Sequence, residues 1–344
     1  MNKRIIFSII LLAFLMVFPK TTQNTSSLYV PNIDTNDVTI LVLMDFNFGA
    51  NYLPILNQFE TFGWTVTTAA PAETITGCEY NSVEFNADLL FSEISDVTSY
   101  DCVNVMPGSS HDNLMANQDS ILNTIKTASD AGAIISAWCR AVRVLAAANV
   151  ISGKNVTGHS SYAAEYIAAG ADFYSDSPPI ISGNIVTVSS TQFYLREMYI
   201  AMTQAIGCYE SDAPVLGVVD VQSFTNNSRL LTVNIVDEST LTEVKAILEL
   251  TSSDSDPPPP ATKTLTLIGP DPENNYSIMF TEPSHGFYSV DLEITDLFWN
   301  EYTFNDITTI EVGVSAEASI GFIVTLISFP IIASIIIITK KKKT

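Results

Sequence analysis

Residues 133–149 read AIISAWCRAVRVLAAAN, an apolar run that passes through Trp138, Cys139 and Arg140 into an alanine-rich segment. The first five residues have the β-branched, apolar character of a buried strand, and the last ten have the composition of a helix. Between them lies Ala137-Trp138-Cys139-Arg140-Ala141, a nucleophile flanked at two residues on each side by a small side chain. A nucleophile on a tight strand-to-helix turn needs that spacing, because larger neighbours crowd the strained backbone. Arg140 and Arg143 add positive charge next to the thiol in a chain with few cations, and a helix N-terminus there favours a thiolate. The plain alternative is an inert cysteine at the end of a core strand.

Outward from this turn, apolar and helix-like segments alternate. Strands are expected at 39–44, 65–69, 102–106 and 133–137, and helices at 52–62, 114–129 and 140–149. That alternation over residues 37–210 predicts a doubly wound, mostly parallel α/β sheet. After Pro214 the pattern changes to short β segments at 215–221, 230–236, 244–251, 262–268, 276–281, 288–294 and 307–314. Seven strands in about 100 residues predict an all-β sandwich of immunoglobulin-like type over 214–315. The SSDSDPPPP run at 252–260 is read as a loop between two of its strands.

The ends differ from both segments. Residues 5–18 are uncharged and largely apolar and follow Lys3 and Arg4, so residues 1–22 are expected to be a signal peptide or an N-terminal anchor. Residues 320–339 read IGFIVTLISFPIIASIIIIT and precede Lys340 to Lys343. A span takes about 20 residues, so 319–339 is expected to be a transmembrane helix with residues 340–344 as a cytoplasmic tail. The expected location is the cell membrane, single-pass, with the bulk of the chain extracytoplasmic. Of 15 Lys and Arg residues seven lie at these ends, leaving eight against 37 Asp and Glu between them. So acidic a body excludes nucleic acid as a ligand. No pair of Cys or His residues has metal-ligand spacing, and no cofactor is implied.

Four ordered motifs carry a family resemblance: YDCVNVMPG at 100–108, AWCRA at 137–141, LAAANVISGKNVT at 145–157, and AGAD with GNIVT at 169–172 and 183–187. Residues 38–209 thereby resemble the DJ-1/PfpI family of the class I glutamine amidotransferase-like superfamily. The resemblance implies a flavodoxin-like fold with Cys139 as the reactive thiol. It also implies a pocket with the backbone amides of Ser109 and Arg140 as an oxyanion hole beside Gly108. His159, 20 residues after Cys139, stands where the deglycase branch places a pocket histidine, and His111 follows the Pro-Gly loop; either is otherwise a polar loop residue.

Two departures stand against these matches. Catalytic members carry a glutamate after the first strand, whereas residues 46–51 read FNFGAN and Asp45 comes too early. The histidine that follows the cysteine in the protease-like branch is replaced by Arg140. Two classes of function stay open: a non-catalytic binding or redox-sensing domain, and a cysteine-dependent hydrolase or glyoxalase using Cys139 and His159. A small-molecule or peptide ligand and a homodimer are compatible with both. Cys78, Cys102 and Cys208 fit an exported domain with one disulfide, preferably from Cys78 to one of the other two. Finally, GFYSVDL at 286–292 with TDLFWN at 295–300 resembles immunoglobulin-like or fibronectin-like modules, in which an Asp and an Asn frame a turn.

Overall fold

The computed structural model describes residues 33–77, 83–116, 120–224, 228–252, 262–281, 286–312 and 324–325. Strands β1 (Thr39–Leu43), β2 (Thr65–Ala70), β3 (Thr74–Gly77), β4 (Val83–Asn86), β5 (Leu89–Leu90), β6 (Cys102–Val105), β7 (Ile134–Trp138), β8 (Asn155–Val156), β9 (Asp172–Phe173), β10 (Ile180–Ser182) and β11 (Ile185–Val188) fall in the first segment. The helices are α1 (Tyr52–Thr61), α2 (His111–Ala116), α3 (Ile121–Ala131), α4 (Val142–Ala147), α5 (Ala163–Ala168) and α6 (Leu195–Ile206). Seven strands form one sheet in the order β10-β11-β7-β6-β1-β2-β5, parallel except for the antiparallel edge strand β10.

Burial on both faces explains the sequence of the central strands. Ile40 and Val42 of β1 point into a core shared with α1 and α6, and Leu41 and Leu43 into a second core shared with α3, α4 and α5. A strand covered by helices on both sides reads as continuous apolar sequence, with successive residues serving opposite faces. From β1 the chain moves to β2 on one side and to β6, β7 and β11 on the other. Ligand crevices in such sheets open at this reversal, outside the carboxyl ends of the strands. Cys139 directly follows β7, at that end.

Strands β12 (Val215–Ser223), β13 (Ser228–Val236), β14 (Leu241–Ser252), β15 (Thr262–Thr266), β16 (Asn275–Thr281), β17 (Gly286–Asp296), β18 (Glu301–Val312) and β19 (Val324–Thr325) make two antiparallel sheets, β16-β13-β12-β19 and β15-β14-β17-β18. Leu231 and Val233 from one sheet meet Ala246, Leu248, Val290 and Leu292 from the other in one core, so the region is a two-layered β-sandwich.

The turn between β17 and β18 does more than close a hairpin. Asp296 accepts hydrogen bonds from the N–H groups of Phe298 and Asn300, both at 2.8 Å, and from Asn300 Nδ2 at 2.7 Å. This Asx turn drives Leu297 and Phe298 into the core that α1 and α6 share with the α/β sheet. Arg196 donates to the Trp299 carbonyl at 2.6 Å, and Tyr209 to Asn300 Oδ1 at 2.6 Å. Asn300 Nδ2 also donates to the Glu210 carbonyl at 2.8 Å.

Three expectations change. The helix foreseen at 140–149 is shorter, because a single 3-10 turn, Cys139–Ala141, separates the strand from α4. Helical sequence at 114–129 belongs to two helices, α2 and α3. Cys102 and Cys208 hold buried thiols rather than disulfides, with Cys78 outside the described residues. Segments 1–22 and 319–339 also lie outside, apart from Val324 and Thr325, which pair with Val219 and Val218. Among the described residues no helix is long and apolar enough to cross a membrane.

Candidate active site

Trp138 is fixed before Cys139 is placed. Its indole Nε1 donates to Asn104 Oδ1 at 2.7 Å, and Ser136 Oγ donates to the same oxygen at 2.8 Å, all within the buried sheet. Two donors on one buried acceptor lock the end of β7 against β6. The chain then reverses at Cys139, whose φ of +54° lies in the left-handed region. A cysteine pays no such cost by accident, since side chains other than Gly, Asn and Asp seldom adopt it. The small residues on either side, Ala137 and Ala141, are both fully buried, which is the packing the spacing foresaw.

His159 reaches the same turn through its backbone, its N–H donating to the Cys139 carbonyl at 3.1 Å. Its Nδ1 accepts from the Ser161 N–H at 3.3 Å, so a neutral ring carries its proton on Nε2. Gly158 lets this strand end lie close: a Cβ there would stand 3.0 Å from the Tyr166 hydroxyl and 3.1 Å from Val142. Cys139 and His159 line one pocket of about 360 Å³ with Ser160, Asp176, Ser189, Ser190, Phe193 and Tyr194.

The other expected residues lie beside the pocket rather than on its lining. Arg140 donates from Nη1 to Ser109 Oγ at 3.1 Å. The Ser109 N–H, from which an oxyanion role was expected, donates to the Asn47 carbonyl of the neighbouring loop at 3.0 Å. Gly108, at φ +124°, is what lets that loop approach, since a Cβ would meet Gly49 N at 2.2 Å. His111 is buried, its Nδ1 at 2.9 Å from the Gly108 carbonyl and its ring edge-on to Tyr162. Burial pushes its pKa below the ordinary value. Arg143 lies 4.2 Å over the Tyr162 ring and pairs with Asp112 at 2.6 Å and Glu165 at 2.7 Å. Asp45 is buried and accepts from the Phe46 N–H at 2.7 Å.

Asp176, Ser189, Ser190, Phe193 and Tyr194 were not foreseen. Ser189 and Ser190 follow the carboxyl end of β11, so the strand-end rule for α/β crevices was the signal available. Asp176 sits at φ +50°, and nothing in its flanking sequence reveals that. Among the described residues no group of three or more His, Cys, Asp or Glu side chains could hold a metal ion.

A mostly parallel sheet of this order with a cysteine on a left-handed turn at its carboxyl edge defines the class, the flavodoxin-like α/β domains. Within that class, residues 40–201 are a DJ-1/PfpI family domain. Protein DJ-1 homolog D of Arabidopsis thaliana is 24% identical over 174 residues, covering 45% of this chain and 44% of that protein. The chain thus spans less than half the length of this curated relative. Among solved structures, a ThiJ/PfpI domain protein of Brachyspira murdochii is 23% identical, with a TM-score of 0.44 over 51% of this chain and 97% of that one. Drosophila melanogaster DJ-1beta is 20% identical, with a TM-score of 0.44 over 50% and 91%.

Proposed function

We propose that this chain is a membrane-tethered thiol sensor or binding protein whose DJ-1/PfpI domain faces away from the cytoplasm, carried on an immunoglobulin-like stalk. The observation that carries the reading is Cys139 at φ +54° in one pocket with His159, while residues 46–51 offer no carboxylate to the thiol. Catalytic members use that carboxylate to tune ionisation, so its absence favours response over turnover. A peroxide would be the simplest stimulus. The Cys139 thiolate attacks one peroxide oxygen, the O–O bond breaks, and the departing hydroxide is protonated to water; sulfur is oxidised by two electrons to a sulfenic acid. Tethering rests on the sequence alone, the apolar run at 320–339 and the lysines after it, and stands against the pairing of Val324 and Thr325 with β12; the acidic balance of the body disfavours nucleic acid.

One observation favours the second class. Asp176 lines the pocket with Cys139 and His159, and a thiol, an imidazole and a carboxylate together are the equipment of a cysteine hydrolase or glyoxalase.

The test is the rate of Cys139 alkylation by iodoacetamide against pH, in the wild type and Cys139→Ser, followed by mass analysis after peroxide. A thiol pKa well below the ordinary value of about 8.5, with gain of one oxygen at Cys139, supports a sensor. Turnover of aldehydes, esters or peptides that Cys139→Ser abolishes would establish the enzyme instead. An unreactive Cys139 sinks both.

A further inference from the structure

We infer that the Cys139 pocket selects ligands carrying an ammonium group, with the Asp176 carboxylate and the Phe193–Tyr194 rim as the selecting surface. This rests on Cys139 being reachable from the pocket, as proposed above. Among the described residues that line it there is no lysine or arginine, and Asp176 is the only carboxylate. Both arginines beside the turn are directed elsewhere, Arg140 to Ser109 and Arg143 to Asp112, Glu165 and the Tyr162 ring. An anionic ligand would therefore meet one negative charge and no cation on the lining.

The rim supplies what a cation needs besides charge. Phe193 is 70% exposed, an unusual position for a large apolar ring, and Tyr194 lies next to it on the same wall. Aromatic faces attract ammonium groups, more strongly than exposed charges attract each other once water is displaced. The Tyr194 hydroxyl donates to the Asp176 carbonyl at 3.4 Å, and Ser175 Oγ to Asp176 Oδ2 at 2.7 Å. The carboxylate and the aromatic wall are thus parts of one construction. Ser160, Ser189 and Ser190 add hydroxyls able to bond an N–H or a neighbouring oxygen.

Paired methanethiosulfonate reagents test this on the full chain, one bearing a trimethylammonium group and one a sulfonate. In each, the Cys139 thiolate attacks the sulfenyl sulfur, a mixed disulfide forms, and methanesulfinate leaves with the bonding electrons. The cationic reagent should modify Cys139 faster than the anionic one, by a margin larger than on 2-mercaptoethanol. Asp176→Asn, which keeps the left-handed backbone because Asn tolerates it, should lower the ratio about fivefold, as expected for one screened charge at close range. Phe193→Ala should slow the cationic reagent alone. Glu60→Gln, an exposed charge on α1, should change nothing. A ratio indifferent to Asp176→Asn, or lowered as much by Glu60→Gln, would show that overall charge and not this surface discriminates, and overturns the inference while the thiol site stands. Failure of both reagents to modify Cys139 removes the site itself. Protection of Cys139 by choline, but not by 3,3-dimethylbutanol, marks a free small ammonium ion as the ligand, and protection by a lysine peptide alone marks a side chain; equal protection by the neutral alcohol counts against the inference.

Discussion

Phe298, in the turn between β17 and β18, stacks on Phe62, at the end of α1, with ring centroids 5.7 Å apart and planes 16° from parallel. Trp299 stacks in turn on Tyr199 of α6 at 6.0 Å, so the β-sandwich completes part of the α/β core. The buried Phe298 should therefore behave as a core residue of both. Phe298→Ala is expected to cost about 3–5 kcal/mol, and denaturant unfolding of the full chain should show the loss in the transition of the α/β sheet. If only the sandwich transition moved, the two segments would be energetically separate.

Asn104 offers a second test inside the sheet. Asn104→Ala leaves the buried Ser136 hydroxyl and Trp138 indole N–H without their acceptor, at roughly 1–3 kcal/mol for each orphaned group. The expected total is about 2–6 kcal/mol, accompanied by altered Trp fluorescence and a changed alkylation rate at Cys139, because Trp138 sets where that residue begins its turn. Stability lost with unchanged Cys139 reactivity would mean that the turn is held by other contacts.

The junction should also respond to pH. Glu210 is 5% exposed, and burial pushes its carboxyl from 4.5 up to about 7, opposed by the Asp212 N–H and reinforced by Asp237 and Asp296. Burial raises Asp296 in the same direction. The surrounding groups are Tyr209, Asp212, Asp237, Ser239, Asp296, Asn300 and Tyr302, with Arg196 bonded to Trp299 nearby. Between pH 4.5 and 7 the folded state holds a proton on Glu210 that the unfolded state has released. This contribution is fully present below 4.5 and is lost as pH rises through about 7. The unfolding midpoint should fall across that window, and Glu210→Gln should flatten the fall. A slope that survives Glu210→Gln would assign it to other groups.

How far these features could be read from sequence depends on how local their causes are. The seven sandwich strands and the central α/β strands were legible because burial imposes a period on each one separately, and Ala137 and Ala141 announced the turn because its steric need is local. The domain interface was not legible. In TDLFWN at 295–300 an Asp and an Asn were expected to frame a turn, and they do, but nothing local says that Leu297 and Phe298 enter another segment's core. Asp176 escaped notice for the same reason: its place beside Cys139 depends on sheet order, not spacing. The acceptor of the Ser109 amide, the Asn47 carbonyl, was equally illegible, since it comes from a loop some 60 residues earlier.

His159 allows stability and reactivity to be separated, because its two links to the site use different atoms. The backbone N–H that donates to the Cys139 carbonyl persists in His159→Ala, so the turn should keep its shape. What the substitution removes is the imidazole and its bond to the Ser161 N–H, a cap worth about 0.5–2 kcal/mol. Stability should fall by no more than that. Reactivity should fall further, since an imidazole on the same pocket lining can donate a hydrogen bond to a thiolate and so favour it, and alkylation of Cys139 at pH 7 is expected to slow between about threefold and tenfold. Arg140→Ala should slow it as well, because the guanidinium held at Ser109 keeps a positive charge beside the turn. Were His159→Ala to unfold the domain, or to leave the alkylation rate of Cys139 unchanged in a folded protein, the imidazole would be structural and the pocket would have no working partner for its thiol.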